Sequence, residues 1–175
     1  MWVLCLMPNG VGAAPVAVLD LVSLTRQAET IVVGRIVASR DIGPGGSREQ
    51  ERIVENDVEI HEVIKGSQLN TLRYRFPMSA VGLDSLDRIS RQERVFFLKR
   101  ATNYFEAANQ YYPSTVAARG VPRTATEALD RVVEVIGGVI QAPSTTTATK
   151  LEAVYTLWGV SRPAGRSSPA RRNGA

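Results

Sequence analysis

The chain has 175 residues, 44% apolar and 22% charged, the balance of a globular domain with a real core rather than of a disordered or fibrous chain. Its formal charge of +4 lies in the last fifteen residues, Ser161 to Ala175, which hold Arg162, Arg166, Arg171 and Arg172 and no acid; the rest carries 17 basic and 17 acidic residues. A neutral body lacks the basic surface that phosphate binding requires, which argues against nucleic acid as a partner.

The first residues, M-W-V-L-C-L-M-P-N-G-V-G-A-A, form a short apolar run followed by small residues. Gly12-Ala13-Ala14 has the character of a signal-peptidase site, although no basic region precedes the run. Residues 1–15 are read as a truncated signal segment, which places the protein in the periplasm or outside the cell. An ordinary apolar N-terminus on a cytoplasmic protein is the alternative. Cys5 is the only cysteine, so no intramolecular disulfide can form and no cysteine-based metal site exists. No stretch approaches the ~20 apolar residues of a membrane span.

Val16 to Leu21 is apolar and suits the start of a strand. Leu21, Leu24 and Ala28 follow at helical spacing, and Asp20 is placed to cap a short helix over 20–28. Thr30 to Arg40 is rich in β-branched residues and predicts a strand, with Gly34 marking a bulge or sharp coil. Asp41 to Gln50 reads as a hairpin loop; its glycines do not have the spacing of a phosphate cradle.

Residues 52–77 predict the central hairpin. Val54, Val58, Ile60 and Ile64 share one face of the first strand, and Leu72, Tyr74 and Phe76 share one face of the second. Lys65-Gly66-Ser67-Gln68 supplies the turn. The register that aligns the apolar faces also sets Glu55, Asp57 and Glu59 opposite Arg73 and Arg75, as a structural charge ladder facing water. Asn56 and Glu62 break the apolar face and mark a bulge or the place where that face leaves the core.

Met78 to Gln92 is a polar connection with room for one helical turn around Leu83, Leu86 and Ile89. Arg94 to Arg100 predicts a short strand, Tyr104 to Ala107 another, and Tyr111 to Ala118 an edge strand limited by Pro113. The period then becomes helical. Thr124-x-x-Glu127 offers a capping box for a helix over 124–141, whose stripe is Leu129, Val132, Val133, Ile136, Val139 and Ile140. Gly137-Gly138 weakens its end. Thr149-x-x-Glu152 offers a second box, and Leu151, Val154, Tyr155 and Trp158 form the stripe of a helix closed by Gly159. Residues 161–175 read as a disordered basic tail.

The reading is mainly β: an OB-like barrel of five or six strands over 16–119, with a short N-terminal helix and two C-terminal helices over 120–160 packed on it. Three segments carry a resemblance. They are Ala28-Glu29-Thr30-Ile31-Val32-Val33-Gly34-Arg35-Ile36-Val37, Val58-Glu59-Ile60-His61-Glu62-Val63-Ile64-Lys65-Gly66, and Gln92-Glu93-Arg94-Val95-Phe96-Phe97-Leu98. The stretch from Asp20 to Ala118 resembles the netrin-like module, the barrel of the tissue inhibitors of metalloproteinases, and small secreted bacterial proteins of that shape. Those inhibitors chelate the protease zinc through an N-terminal cysteine. No cysteine follows the leader here, so the resemblance implies the fold and an extracytoplasmic setting, not the inhibitory chemistry.

Candidate chemistry is sparse. His61, the only histidine, is placed on an outward face beside Glu59. The acidic row could bind a metal or serve acid–base chemistry, but opposite arginines it reads as a ladder. No G-x-S-x-G elbow occurs. No catalytic residue, metal site or cofactor is assigned. Tyr104, Phe105, Tyr111 and Tyr112 form the candidate interaction face. The functional expectation is a non-enzymatic extracytoplasmic interaction module with a protein partner. The alternatives are an oligosaccharide- or nucleic-acid-binding barrel and a protease-inhibitor-like module without the chelating cysteine.

Overall fold

The computed structural model describes residues 20–45, 51–79, 92–109 and 114–161. The leader, the turn expected around Leu83, Leu86 and Ile89, and the basic tail lie outside these residues. Helix α1 (Leu21–Gln27) opens the fold. Strands β1 (Thr30–Pro44), β2 (Glu51–Lys65), β3 (Thr71–Ser79), β4 (Arg94–Arg100), β5 (Phe105–Ala107) and β6 (Ser114–Val116) follow, then helices α2 (Ala128–Gln141) and α3 (Thr147–Ser161). β1 runs four residues into the stretch that reads as a loop.

The strands pair in the order β1-β2-β3-β5-β4, and β4 pairs back onto β1. This closes a five-stranded barrel, with β6 added to β4 beyond β5. β3 and β5 are parallel; the other pairs are antiparallel. The arrangement is compatible with an OB-like barrel.

Two apolar clusters hold it together. Inside the barrel lie Val32, Ile36, Val58, Leu72, Tyr74, Phe96 and Leu98. Outside, Ile31, Val33, Val95 and Phe97 meet the helices through Leu21, Leu24, Val132, Ile136 and Ala153. Adjacent residues of β1 and of β4 therefore serve opposite cores, which explains why both strands read as continuous apolar runs. Each Val, Leu, Ile or Phe side chain among them contributes roughly 1.5–3 kcal/mol on burial.

Bulges set the register. Val33 pairs with Glu62 but Gly34 with Ile60, so His61 is an extra residue on β2; Ile64 is a second, opposite the Ile31–Val32 step. The first bulge turns Glu62 out of the barrel toward the helical layer, where Arg123 and Arg131 meet its carboxylate at 3.0 and 2.7 Å. Asn56, the other exception in the hairpin pattern, stays fully buried in the barrel wall and accepts from the Ser39 hydroxyl at 2.6 Å.

The helices are tied to the barrel at their ends. Asp20 caps α1 by accepting from the Ser23 N–H at 2.6 Å. At its other end the Lys65 ammonium donates to the carbonyls of Thr25 and Ala28, completing orphan acceptors there. Neither expected capping box forms. Thr124 donates its hydroxyl and N–H to Glu134, and α2 begins only at Ala128 without a side-chain cap. Thr146 caps α3 by accepting from the Thr149 N–H at 3.3 Å. Glu152 is then free to reach Arg94 at 2.8 Å.

Two glycines sit at close approaches. A Cβ on Gly34 would stand 2.3 Å from the Glu59 carbonyl oxygen, and one on Gly138 would stand 2.5 Å from Val121 Cγ2. Gly137 faces open space. Gly34→Ala is therefore expected to cost about 3 kcal/mol or more, because the obstacle is backbone. Gly138→Ala should destabilise by about 1 kcal/mol, and Gly137→Ala should stabilise by about 1 kcal/mol. Thermal unfolding of the three variants checks the ranking.

Tyr74 is buried in the barrel, stacked on Phe76 at 5.3 Å and edge-on to Phe96 at 5.8 Å. Its hydroxyl and the Asn56 amide nitrogen have no hydrogen-bond partner among the described residues. Burial pushes the phenol pKa far up. A buried hydroxyl without a partner opposes folding. Tyr74→Phe should thus leave stability unchanged or raise it by about 1 kcal/mol, and a loss of 1 kcal/mol or more in denaturant melts would reveal a bond to that oxygen.

Candidate functional site

Three polar assemblies present themselves on the barrel. The first is the ladder. Asp57 faces Arg73 and Glu55 faces Arg75 across the β2–β3 pair. Glu55 is not in water. Its side chain is 2% exposed beneath Arg40, Arg73 and Arg75, whose own side chains are one-third to over one-half exposed. Arg75 Nε donates to it at 2.6 Å and Arg40 Nε at 2.7 Å. Burial pushes the Glu55 carboxyl up, but the hydrogen bonds and charges of Arg40 and Arg75 together outweigh this and hold it below the usual range. Glu59 bonds instead to Arg35 at 2.9 Å, which lowers its carboxyl too.

Arg40 is the member that sequence reasoning missed. Strict alternation puts Arg35 and Arg40 on opposite faces of β1. An extra residue at Val37, between the pairs Ile36–Val58 and Ala38–Asp57, brings both to the acidic face. Nothing in the local sequence announces that bulge.

The second assembly surrounds His61. The sequence places this ring on an outward face beside Glu59, and the structure has it there, at the bulge, with its side chain 21% exposed. It helps line an open cleft of about 490 Å³ with Glu62, Glu93, Arg119 and Arg123. Its Nδ1 lies 2.5 Å from Glu93 and its Nε2 3.5 Å from Glu59. Nδ1 is thus engaged by Glu93, while Nε2 approaches a half-exposed carboxylate that Arg35 already holds. Glu93 comes from the segment before β4, more than thirty residues away in sequence, and only the bulge brings it near. Among the described residues no three metal-ligating side chains are placed to hold a metal ion.

The third is a cleft of about 450 Å³ at one mouth of the barrel, walled by Ile42, Ile53, Phe76, Pro77 and Ala107, with Arg75, Tyr104 and Glu106 on its rim. The Arg75 guanidinium lies 4.2 Å over the Tyr104 ring, an arrangement that fixes both side chains. Of the aromatic face expected from sequence, Tyr104 lines this cleft. Phe105 packs instead against the barrel core. Tyr111 and Tyr112 lie outside the described residues. Ile42 and Ile53 come from the extended β1–β2 arm, which the reading of 41–50 as a loop concealed.

With this geometry in hand, the chain matches no protein-family model, and comparison with curated proteins finds no significant relative. No described helix is long and apolar enough to cross a membrane.

Glu55→Gln removes the anion under three guanidinium groups. Loss of one partner from a buried pair costs about 3–5 kcal/mol; partial exposure of the arginines reduces this to about 2 kcal/mol. The lowered carboxyl pKa means the contribution is complete above the unfolded value of roughly 4.3 and fades as pH falls through the folded one. Wild type and variant should therefore differ most near pH 7 and converge as the pH is taken below the unfolded value in urea melts.

Proposed function

We propose that the protein is a non-catalytic, extracytoplasmic binding module on a netrin-like variant of the OB-type barrel, and that it takes a protein partner in the cleft beside Tyr104. The carrying observation is that cleft: apolar walls from four strands, and a rim where Arg75 holds the Tyr104 ring in place. A preformed concave site with apolar walls and a few fixed polar groups suits a partner's aliphatic or aromatic side chain. Tyr and Arg are also the residue types that anchor interfaces most often.

Two observations favour this over the alternatives. The cleft beside His61 has no serine, threonine or cysteine among its described lining residues, so no nucleophile stands by the ring. Arg35, Arg40, Arg52, Arg73 and Arg75 all contact carboxylates of the same sheet, so this face offers little uncompensated charge to a phosphate backbone. An inhibitory role of the metalloproteinase kind has no support, because the chelating cysteine is missing.

The test is affinity capture with the intact chain, repeated with Tyr104→Ala and Ile53→Asp. Loss of a central anchor is worth about 2 kcal/mol, close to 30-fold in affinity. A partner that is retained by wild type and lost by both variants, with unchanged circular dichroism, supports the reading. Retention by both variants, with loss on His61→Ala, moves the site to the other cleft.

A further inference from the structure

The cleft beside His61 holds more donors than its acids engage. Both of its carboxylates are taken, Glu62 by Arg123 and Arg131, and Glu93 by the His61 ring. Arg123 gives Nε to Glu62, while its Nη1 is buried without a hydrogen-bond partner. A cationic donor left in that state is costly and marks a place short of acceptors. Arg119, Gly120 and Val121 also line the cleft, and none of the three makes a hydrogen bond or ion pair. Gly120 turns the chain there at φ +71°. The Arg119 guanidinium and three successive N–H groups are thus unclaimed donors in one stretch of the wall.

Charge points the same way. Arg119 and Arg123 line the cleft with Glu62 and Glu93, and Arg131, the second partner of Glu62, adds a third cation to two acids. Val33, Ala118 and Val121 make the rest of the lining apolar. A cation fits such a place less well than an oxyanion, because arginine outnumbers the carboxylates and they are already held.

We propose that this cleft binds a carboxylate carrying a short branched aliphatic body. The carboxylate takes the charge-assisted bonds that Arg119 and the N–H groups of residues 119–121 offer. The aliphatic body lies on Val33, Ala118 and Val121, as apolar walls with a few polar groups require. The cleft, about 490 Å³ and open to solvent, holds such an acid and leaves room for a chain attached to it. A free acid and the C-terminus of a peptide therefore share the chemistry. The proposal is independent of the cleft beside Tyr104, which is lined by other residues.

His61 is the only histidine and lines the cleft, so its ring signals in NMR report occupancy. The intact chain is titrated at fixed pH with 3-methylbutanoate, 3-methylbutanamide, inorganic phosphate and N-acetylglycylvaline. Both carboxylates should shift the ring signals saturably, the neutral amide should not, and phosphate should bind more weakly than either acid. Arg119 is exposed and unpartnered, so Arg119→Gln should leave circular dichroism unchanged. It should weaken carboxylate binding about tenfold, the loss of one charge-assisted bond, and Arg119→Glu should abolish binding. Tighter binding of the peptide than of the free acid assigns the site to a chain terminus, and the reverse order assigns it to a free acid. No saturable shift, equal shifts with the amide, or an affinity unmoved by Arg119→Glu would overturn the proposal. So would phosphate binding as tightly as the carboxylates, since the apolar wall would then contribute nothing.

Discussion

The fold depends on what is required of residues 30–34. This short run of β1 bonds to β2 on one side and β4 on the other, and its side chains feed two cores in alternation. Val32 points into the barrel while Ile31 and Val33 meet the helices. No position there tolerates a solvated side chain. At Gly34 the β2 backbone comes so near that no side chain fits at all. Barrel closure and helix attachment are therefore a single event at this strand.

The irregularities of β2 follow from the same demand. A strand that wraps from the barrel wall to the helical layer has to change which of its faces is covered. The extra residues at His61 and Ile64 make that change. Glu62, out of place in a barrel interior, becomes the anion that Arg123 and Arg131 grip from the C-terminal region. Lys65, a few residues on, closes the carbonyl end of α1. The bulged end of one hairpin strand thus joins three helical-layer segments to the barrel by charge and hydrogen bonding, while apolar contact supplies the bulk of the energy.

Much of this architecture was legible in the residues. The alternation of 52–77, the β-branched run at 30–37, the Asp20 cap and the shift to helical spacing after Ala118 each reflect local rules, and the mainly-β barrel with three helices emerges from them. Asn56 and Glu62 signalled an irregularity by breaking the apolar face. What could not be read depended on contacts distant in sequence. Arg40 joins the acidic face only because Val37 is extra. Glu93 reaches His61 only because of the bulge at 61. Glu55 looks like its solvated neighbours until three arginines close over it. Glu152 fits a capping box by spacing, yet an ion pair with buried Arg94 claims it instead. The stripe of α3 was visible as a stripe, but not that its Leu151, Val154 and Tyr155 stay exposed. Ala153 and Thr156, small enough for close packing, decided which side met the barrel.

The pairing of Thr30 with Leu98 spans roughly seventy residues, and this has a kinetic consequence. During synthesis the β1–β2–β3 meander is complete before β4 emerges, and β1 then lacks both its second neighbour and the cover of α2 and α3. Assembly is governed by an entropically expensive long-range closure, which places folding among the slower, non-local topologies on the millisecond-to-second scale. Until that closure the apolar run of β1 stands as an unprotected edge, the kind of intermediate that chaperones shield.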